Sequence, residues 1–243
     1  MACAFTEWRR IKMSVVVHGS PLSPFTRKVT LVAMEKGISF ESKDINPYNP
    51  PDHFESISPL KRIPILTDGA FRLNDSSAIA AYLDAAFPSP NGTIIPTEPK
   101  ALGYALWIEE YADTALFGDI SQGVFRPTFI NQMRGEPIDT QMIEEAVRNK
   151  LPVRFQYLES EISGKKYFSE NRLTVADIAV YAQLANLDHA GQLPEQVSYP
   201  YLMGHYSQMK ARETSKALSS QESRYLKFML SQLKSSLSVD GSA

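Results

Sequence analysis

Hydrophobic positions change their spacing in a definite order along the first part of the chain. Val15, Val16 and Val17, inside Ser14–His18, form a short β-branched run that predicts a buried strand. The turn GSPLSP follows. From Ser23 the spacing becomes helical, with Val29, Val32 and Ala33 on one side and Gly37 as a stop. Residues 39–44 (SFESKD) alternate as a second strand, and 51–58 hold one irregular helical turn. Ile65–Thr67 and Phe71–Leu73 are short strands separated by Asp68-Gly69, a hairpin signal. A helix is expected over Ser76–Phe87, carrying Ile79, Tyr82 and Leu83.

The order βαβ then ββα predicts a small mixed four-stranded sheet, its first two strands parallel and its last two a hairpin, with helices packed on it. Residues 89–99 are rich in proline and read as a linker. Beyond them every periodic segment is helical, with candidates at about 100–120, 139–163, 174–188, 199–212 and 219–234. A break is expected over 126–137, which contains Pro127, Gly135 and Pro137. Thr174-Val-Ala-Asp177 has the spacing of a capping box. The expected organisation is an extension at 1–13, an α/β unit at 14–88, the linker, an all-helical unit at 100–235 and a tail at 236–243. Met13, directly ahead of the first strand, is an alternative start.

Composition narrows the chemistry. Over 243 residues the formal net charge is −2, which offers no basic field to a phosphate backbone, so nucleic acid is not the expected partner. The single cysteine, Cys3, excludes a disulfide framework and points to the cytoplasm. No apolar run approaches the roughly 20 residues of a spanning helix, so no membrane partner is expected. His18, His53, His189 and His205 lack ligand spacing, and no metal is expected.

Four motifs carry a resemblance: SPFTRKV (23–29), SPLKRIPIL (58–66), NDSSAIAAYL (74–83) and LTVADIAV (173–180). Together they resemble, in order and spacing, the cytosolic glutathione S-transferase superfamily, and within it the serine-type phi, tau and theta-like or related bacterial classes. The α/β unit is then thioredoxin-like, and the implied co-substrate is glutathione. Three positions depart from the family pattern: Ser58 for asparagine, Lys61 for glycine and Asp75 for glutamate.

Ser23 precedes Pro24 and suits a helix N-cap, beside free amides at the positive end of the helix dipole. The resemblance makes it the residue whose hydroxyl donates to the glutathione thiolate and lowers the thiol pKa; the residues alone allow a simple cap. Ser20, in the same turn, is its rival. The resemblance further implies a cis bond at Ile63-Pro64, with the Ile63 backbone pairing to the cysteinyl unit. It assigns Asp75 and Ser76 to the γ-glutamyl end, and Arg62 to the glycine carboxylate. Tyr104, Trp107 and Tyr111 recur at helical spacing, followed by Phe117, Phe125 and Phe129; such stripes are usually core, and Tyr111 alone is a candidate for the electrophile pocket.

The expected activity is transfer of the glutathione thiolate to a small hydrophobic electrophile, with peroxide reduction as a variant, in a homodimer. The alternative is an interaction module of the same fold without catalysis. Cysteine-based redox work is disfavoured by the position of Cys3.

Overall fold

The computed structural model describes residues 15–239. Cys3, Met13 and the expected extension at 1–13 lie outside the described residues. β1 (Val15–His18), β2 (Phe40–Lys43), β3 (Ile65–Asp68) and β4 (Phe71–Asn74) form one sheet of order β2-β1-β3-β4. β1 runs parallel to β2 and antiparallel to β3, and β3 pairs antiparallel with β4. The hairpin turn is Gly69-Ala70 rather than Asp68-Gly69, because Asp68 and Phe71 close the ladder and the φ of +59° is taken by Gly69.

Central position explains why β1 reads as an unbroken valine run: it is covered on both faces. Val15 and Val17 pack with Val29, Val32, Ile79 and Leu83 of α1 (Pro24–Glu35) and α3 (Ser76–Ala86). On the opposite face, Ile65 packs with Ile45, Ile63 and Phe54 of the short α2 (Phe54–Ile57). Each buried valine contributes on the order of 2 kcal/mol.

The rest is helical. α4 (Pro99–Tyr111) continues without interruption through two wide-turned π segments, Ala112–Leu116 and Gly118–Ile130, into α5 (Asn131–Met133). The expected end near 120 and break from 126 are therefore corrected: the chain stays helical through Pro127 and breaks only after Met133. Proline has no amide to give to an α-helical ladder; i→i+5 bonding relaxes that ladder, and Thr128 Oγ1 donates to the Val124 carbonyl at 2.7 Å. α6 (Thr140–Glu145) and α7 (Leu151–Ile162) are joined by a similar wide segment, Ala146–Lys150.

α8 (Val175–His189) is the buried axis of this half, packed on both α1 and α4. At its start the Thr174 N–H and hydroxyl both donate to Asp177 Oδ2, at 2.8 and 2.9 Å, while Oδ1 accepts from the Phe168 amide at 2.9 Å. α9 (Pro200–Lys210) and α10 (Glu213–Val239) complete the fold. α10 extends past both ends of its expected span, so residues 236–239 are helix rather than tail.

Candidate functional site

The turn between β1 and α1 is built tightly. A Cβ on Gly19 would collide with Thr26 Oγ1, so only glycine lets the strand end approach the helix start. Ser23 is the N-cap of α1, with Pro24 in the first helical position as the Ser-Pro pair predicts. Its Oγ accepts from the Thr26 amide at 3.3 Å, and among the described residues its own hydroxyl proton donates to no acceptor. Ser20 differs. Its Oγ accepts from the Leu22 amide at 3.4 Å and hydrogen-bonds the Tyr225 hydroxyl. Tyr225 donates in turn to Asp44 Oδ2 at 2.8 Å; burial and that hydrogen bond push its phenol up to about 12.

Ahead of β3, the Ile63-Pro64 bond is cis. Ser58 fastens the preceding loop through Arg62: the Ser58 hydroxyl donates to the Arg62 carbonyl at 2.7 Å and accepts the Arg62 amide at 2.9 Å. Ser58 thus does a positioning job in the place where the family carries asparagine. Lys61, in the family's glycine position, adopts a left-handed backbone with φ of 54°, the conformation glycine takes without steric cost. Ile63 is 9% exposed, and no hydrogen bond engages its N–H or C=O among the described residues.

Asp75 caps α3, Oδ1 accepting the Ser77 and Ala78 amides at 2.9 and 3.0 Å, with a left-handed φ of 78°. Ser76, the first residue of α3, is buried. Beside this terminus lies a cluster that sequence reasoning missed. Lys28 is fully buried, its ammonium donating to Ser77 Oγ at 3.0 Å, to Glu109 Oε1 at 2.6 Å and to Asp113 Oδ2. Burial alone would lower the Lys28 pKa, but Asp113 and Glu109 outweigh it and hold the ammonium charged. Burial dominates at Asp113, raising its carboxyl to about 6 against the pull of Lys28; Glu109 and Asp75 add like charge. A lysine and an arginine inside the quoted SPFTRKV motif, on a helix with an apolar face, were the available signal.

Ser20, Ser23, Arg62, Ile63 and Asp113 all line a single cleft of about 800 Å³. Pro64, Asp75 and Ser76 are not among its lining residues; Asp75 connects to it through the Ser77 amide, and Ser77 through Lys28 to Asp113. The opposite wall comes from the wide-turned helix. With i→i+5 bonding, residues four and five apart share a face, and Phe117, Gln122, Arg126 and Ile130 accordingly all reach the cleft. Tyr111 does not line it. Its ring packs on Tyr157 at 4.6 Å and Trp107 at 6.1 Å, and its hydroxyl hydrogen-bonds Arg154. Phe117 and Phe125, passed over as core, do line it, as do Tyr48 from the β2–α2 loop and Tyr225 from α10.

α10 is held over the cleft by a buried ion pair. Arg27 Nε donates to Glu222 Oε1 at 2.7 Å, and its Nη1 donates to the Ala182 carbonyl at 2.6 Å and to Asn186 Oδ1 at 2.9 Å. His189 Nε2 lies 2.9 Å from the other Glu222 oxygen. Burial would raise the Glu222 pKa, but Arg27 and His189 outweigh it and hold the carboxyl below the usual range. His18 lies 3.1 Å from Thr67 Oγ1 and His205 lies 3.0 Å from Asp177 Oδ1. Among the described residues no three metal-ligating side chains converge, and no helix is long and apolar enough to cross a membrane.

Comparison with known proteins agrees with this architecture. Residues 17–91 match the glutathione S-transferase N-terminal domain family, and residues 118–220 match its C-terminal domain family. A glutathione S-transferase from Triticum aestivum is 27% identical over 189 residues, covering 77% of this chain and 84% of that one. Elongation factor 1-gamma from Schizosaccharomyces pombe is 32% identical over 171 residues, covering 68% of this chain and 39% of that longer protein. A glutathione S-transferase from Methylobacillus flagellatus KT, solved with GSH bound, superposes with a TM-score of 0.69 at 27% identity, covering 84% of this chain and 98% of that one. With both family halves in order on a four-stranded mixed sheet and a helical C-terminal part, this chain belongs to the glutathione S-transferase superfamily.

Proposed function

We propose that the cleft binds glutathione and that Ser23 activates its thiol for attack on an electrophilic carbon, the conjugate being the product. The observation that carries this reading is the unused hydroxyl proton of Ser23 at the N-terminus of α1. A hydroxyl has one proton to donate, and a thiolate next to it gains that bond and the positive end of the helix dipole, which lowers the thiol pKa. More thiolate gives a faster nucleophile at neutral pH. Ser20 is less suited, because it is already engaged with Tyr225.

The remaining contacts follow from chemistry. The Ile63 N–H and C=O face the cysteinyl unit, Arg62 the glycine carboxylate, and Asp75 with Ser76 the γ-glutamyl end. Asp113 joins Asp75 as a second carboxylate for the ligand's ammonium group. The protein acts as a cytoplasmic homodimer in this reading, consistent with exposed Phe71 on β4 and exposed Leu106 and Trp107 on α4.

Thiol ionisation of bound glutathione, followed by ultraviolet absorbance against pH, tests the assignment. In Ser23→Ala the apparent thiol pKa rises towards the roughly 8.5 of a free thiol, while Ser20→Ala leaves it near wild type. Loss of ionisation in Ser20→Ala alone would overturn the choice of serine. The match to elongation factor 1-gamma favours a second reading, an interaction module. Calorimetry showing no glutathione binding at millimolar concentration would establish that reading over transfer.

A further inference from the structure

The cleft carries an unbalanced charge pattern that glutathione alone does not explain. Its lining includes four cations, Lys61, Arg62, Arg126 and Arg134, against one carboxylate, Asp113. Lys61 pairs with Glu55, and Asp113 faces Lys28. Among the described residues, Arg126 and Arg134 have no carboxylate within ion-pair distance. The only side-chain hydrogen bond of Arg126 among the described residues is a long one, 3.4 Å, to Gln122. On a chain with a net charge of −2, acids to pair with these arginines are plentiful, yet none stands here.

Both guanidinium groups gather instead on one aromatic ring. Arg134 Cζ lies 5.0 Å and Arg126 Cζ 5.6 Å from the centre of the Tyr48 ring, which is 46% exposed. The ring's quadrupole attracts each cation, and it holds two like charges close together at the mouth without neutralising either. Tyr48 comes from the loop after β2, the arginines from the far wall, so the cluster spans the opening. The helical wall also brings Phe117, Phe125, Ile130 and Met133 to the cleft, with Ser121 and Gln122 among them.

From this juxtaposition we infer that the electrophile is an organic anion: an apolar body lying along the aromatic wall, with a carboxylate or similar oxyanion held by Arg126 and Arg134 over Tyr48. Paired guanidinium forks suit a planar carboxylate because each presents parallel N–H donors. The apolar side chains give such a body no directional contact of their own, so the arginines bias the direction in which the electrophile enters, alongside the Ser121 and Gln122 side chains. This inference rests on the proposed glutathione reading and names the substrate class of the same site.

Titration calorimetry with two product-like conjugates, S-hexylglutathione and S-(5-carboxypentyl)glutathione, is the test. Wild type binds the carboxylated conjugate about tenfold more tightly at low salt, and added salt erodes that preference. In R126M/R134M the preference disappears, and the loss is confined to the anionic conjugate. Equal or weaker binding of the carboxylated conjugate by wild type overturns the inference. So does a matching loss of unmodified glutathione in the double variant, which would make the arginines a glutathione contact. If wild type binds neither conjugate nor glutathione, the glutathione reading fails, and the anion site is then decided by fluorescence with dansyl-6-aminohexanoate and its methyl ester. A preference for the free acid that R126M/R134M removes upholds the site, and no preference sinks it.

Discussion

Two groups of cations meet at this cleft and are treated in opposite ways. Arg27 and Lys28, adjacent on α1, are almost completely buried, and each is surrounded by acceptors: Glu222, Asn186 and the Ala182 carbonyl for one, Glu109, Asp113 and Ser77 for the other. Arg126 and Arg134 are left on an aromatic ring at the mouth, with no acid beside them. Burying a charge is tolerated when its counter-charge is buried with it. Glu222 does this for Arg27, although Arg27 Nη2 has no hydrogen-bond partner among the described residues, and Glu109 with Asp113 does it for Lys28, so the inner pair is committed to structure. It ties α1 to α10 on one side and to α3 and α4 on the other. An unpaired guanidinium in reach of water keeps its donors available, and the outer pair is free for a ligand.

The sharpest way to break this contrast is to remove an inner partner. Glu222→Ala leaves the Arg27 guanidinium buried without its counter-ion and is expected to cost about 3–5 kcal/mol of stability, read as a lowered urea midpoint. Arg27→Met combined with Glu222→Leu removes both charges and recovers most of that loss. Because the folded-state pKa of Glu222 lies below its unfolded value, its contribution is present above the unfolded pKa and disappears as pH falls through the folded one. A Glu222→Ala protein as stable as wild type would mean that the inner pair is not structural.

Asp113 sits between the two groups, bonded to buried Lys28 yet open to the cleft. Asp113→Asn is expected to weaken glutathione about tenfold, the scale of one charge-assisted hydrogen bond. The wild-type carboxyl is raised by burial to about 6. An ammonium ligand needs it ionised, so wild-type affinity falls as pH drops through about 6, whereas the variant's affinity is flat there. Calorimetry at several pH values checks both, and an unchanged pH dependence in Asp113→Asn removes Asp113 from the site.

The parallel pairing of β1 with β2, the hairpin and the N-cap at Ser23 were legible because each depends on nearby sequence: a strand, helix and strand in succession, a glycine at a two-residue turn, a serine before a proline. The helix through Pro127 was not, because proline is read as a stop, and here i→i+5 turns accommodate it. That one misreading hid a cleft wall, since Gln122, Arg126 and Ile130 share a face only if the helix continues past 126, and Phe117 joins them only at the wider spacing. Tyr111 was chosen on α-helical spacing and points instead to Tyr157. Tyr48 and Tyr225 lie far apart in sequence and meet at the cleft only through tertiary packing, so no local pattern marks them. Lys28 was visible within a motif, but a buried lysine is recognised by its partners, Glu109 and Asp113, and these come from another helix.

Lys61 provides the finest adjustment, because it is a cation at the mouth whose main effect is through its backbone. Its φ of 54° costs a non-glycine residue roughly 1–2 kcal/mol, while glycine loses about 0.5–1 kcal/mol more entropy on folding. Its ion pair with Glu55 joins two exposed side chains and is worth little. Lys61→Gly is therefore expected to stabilise the fold by about 0.5–1 kcal/mol, seen as a small rise in urea midpoint. The preference for anionic over neutral conjugates should persist, since Arg126 and Arg134 are untouched. A collapse of that preference in Lys61→Gly would move the anion site from the helical wall to the loop before Pro64, and with it the line between cations that hold the fold and cations that hold the ligand.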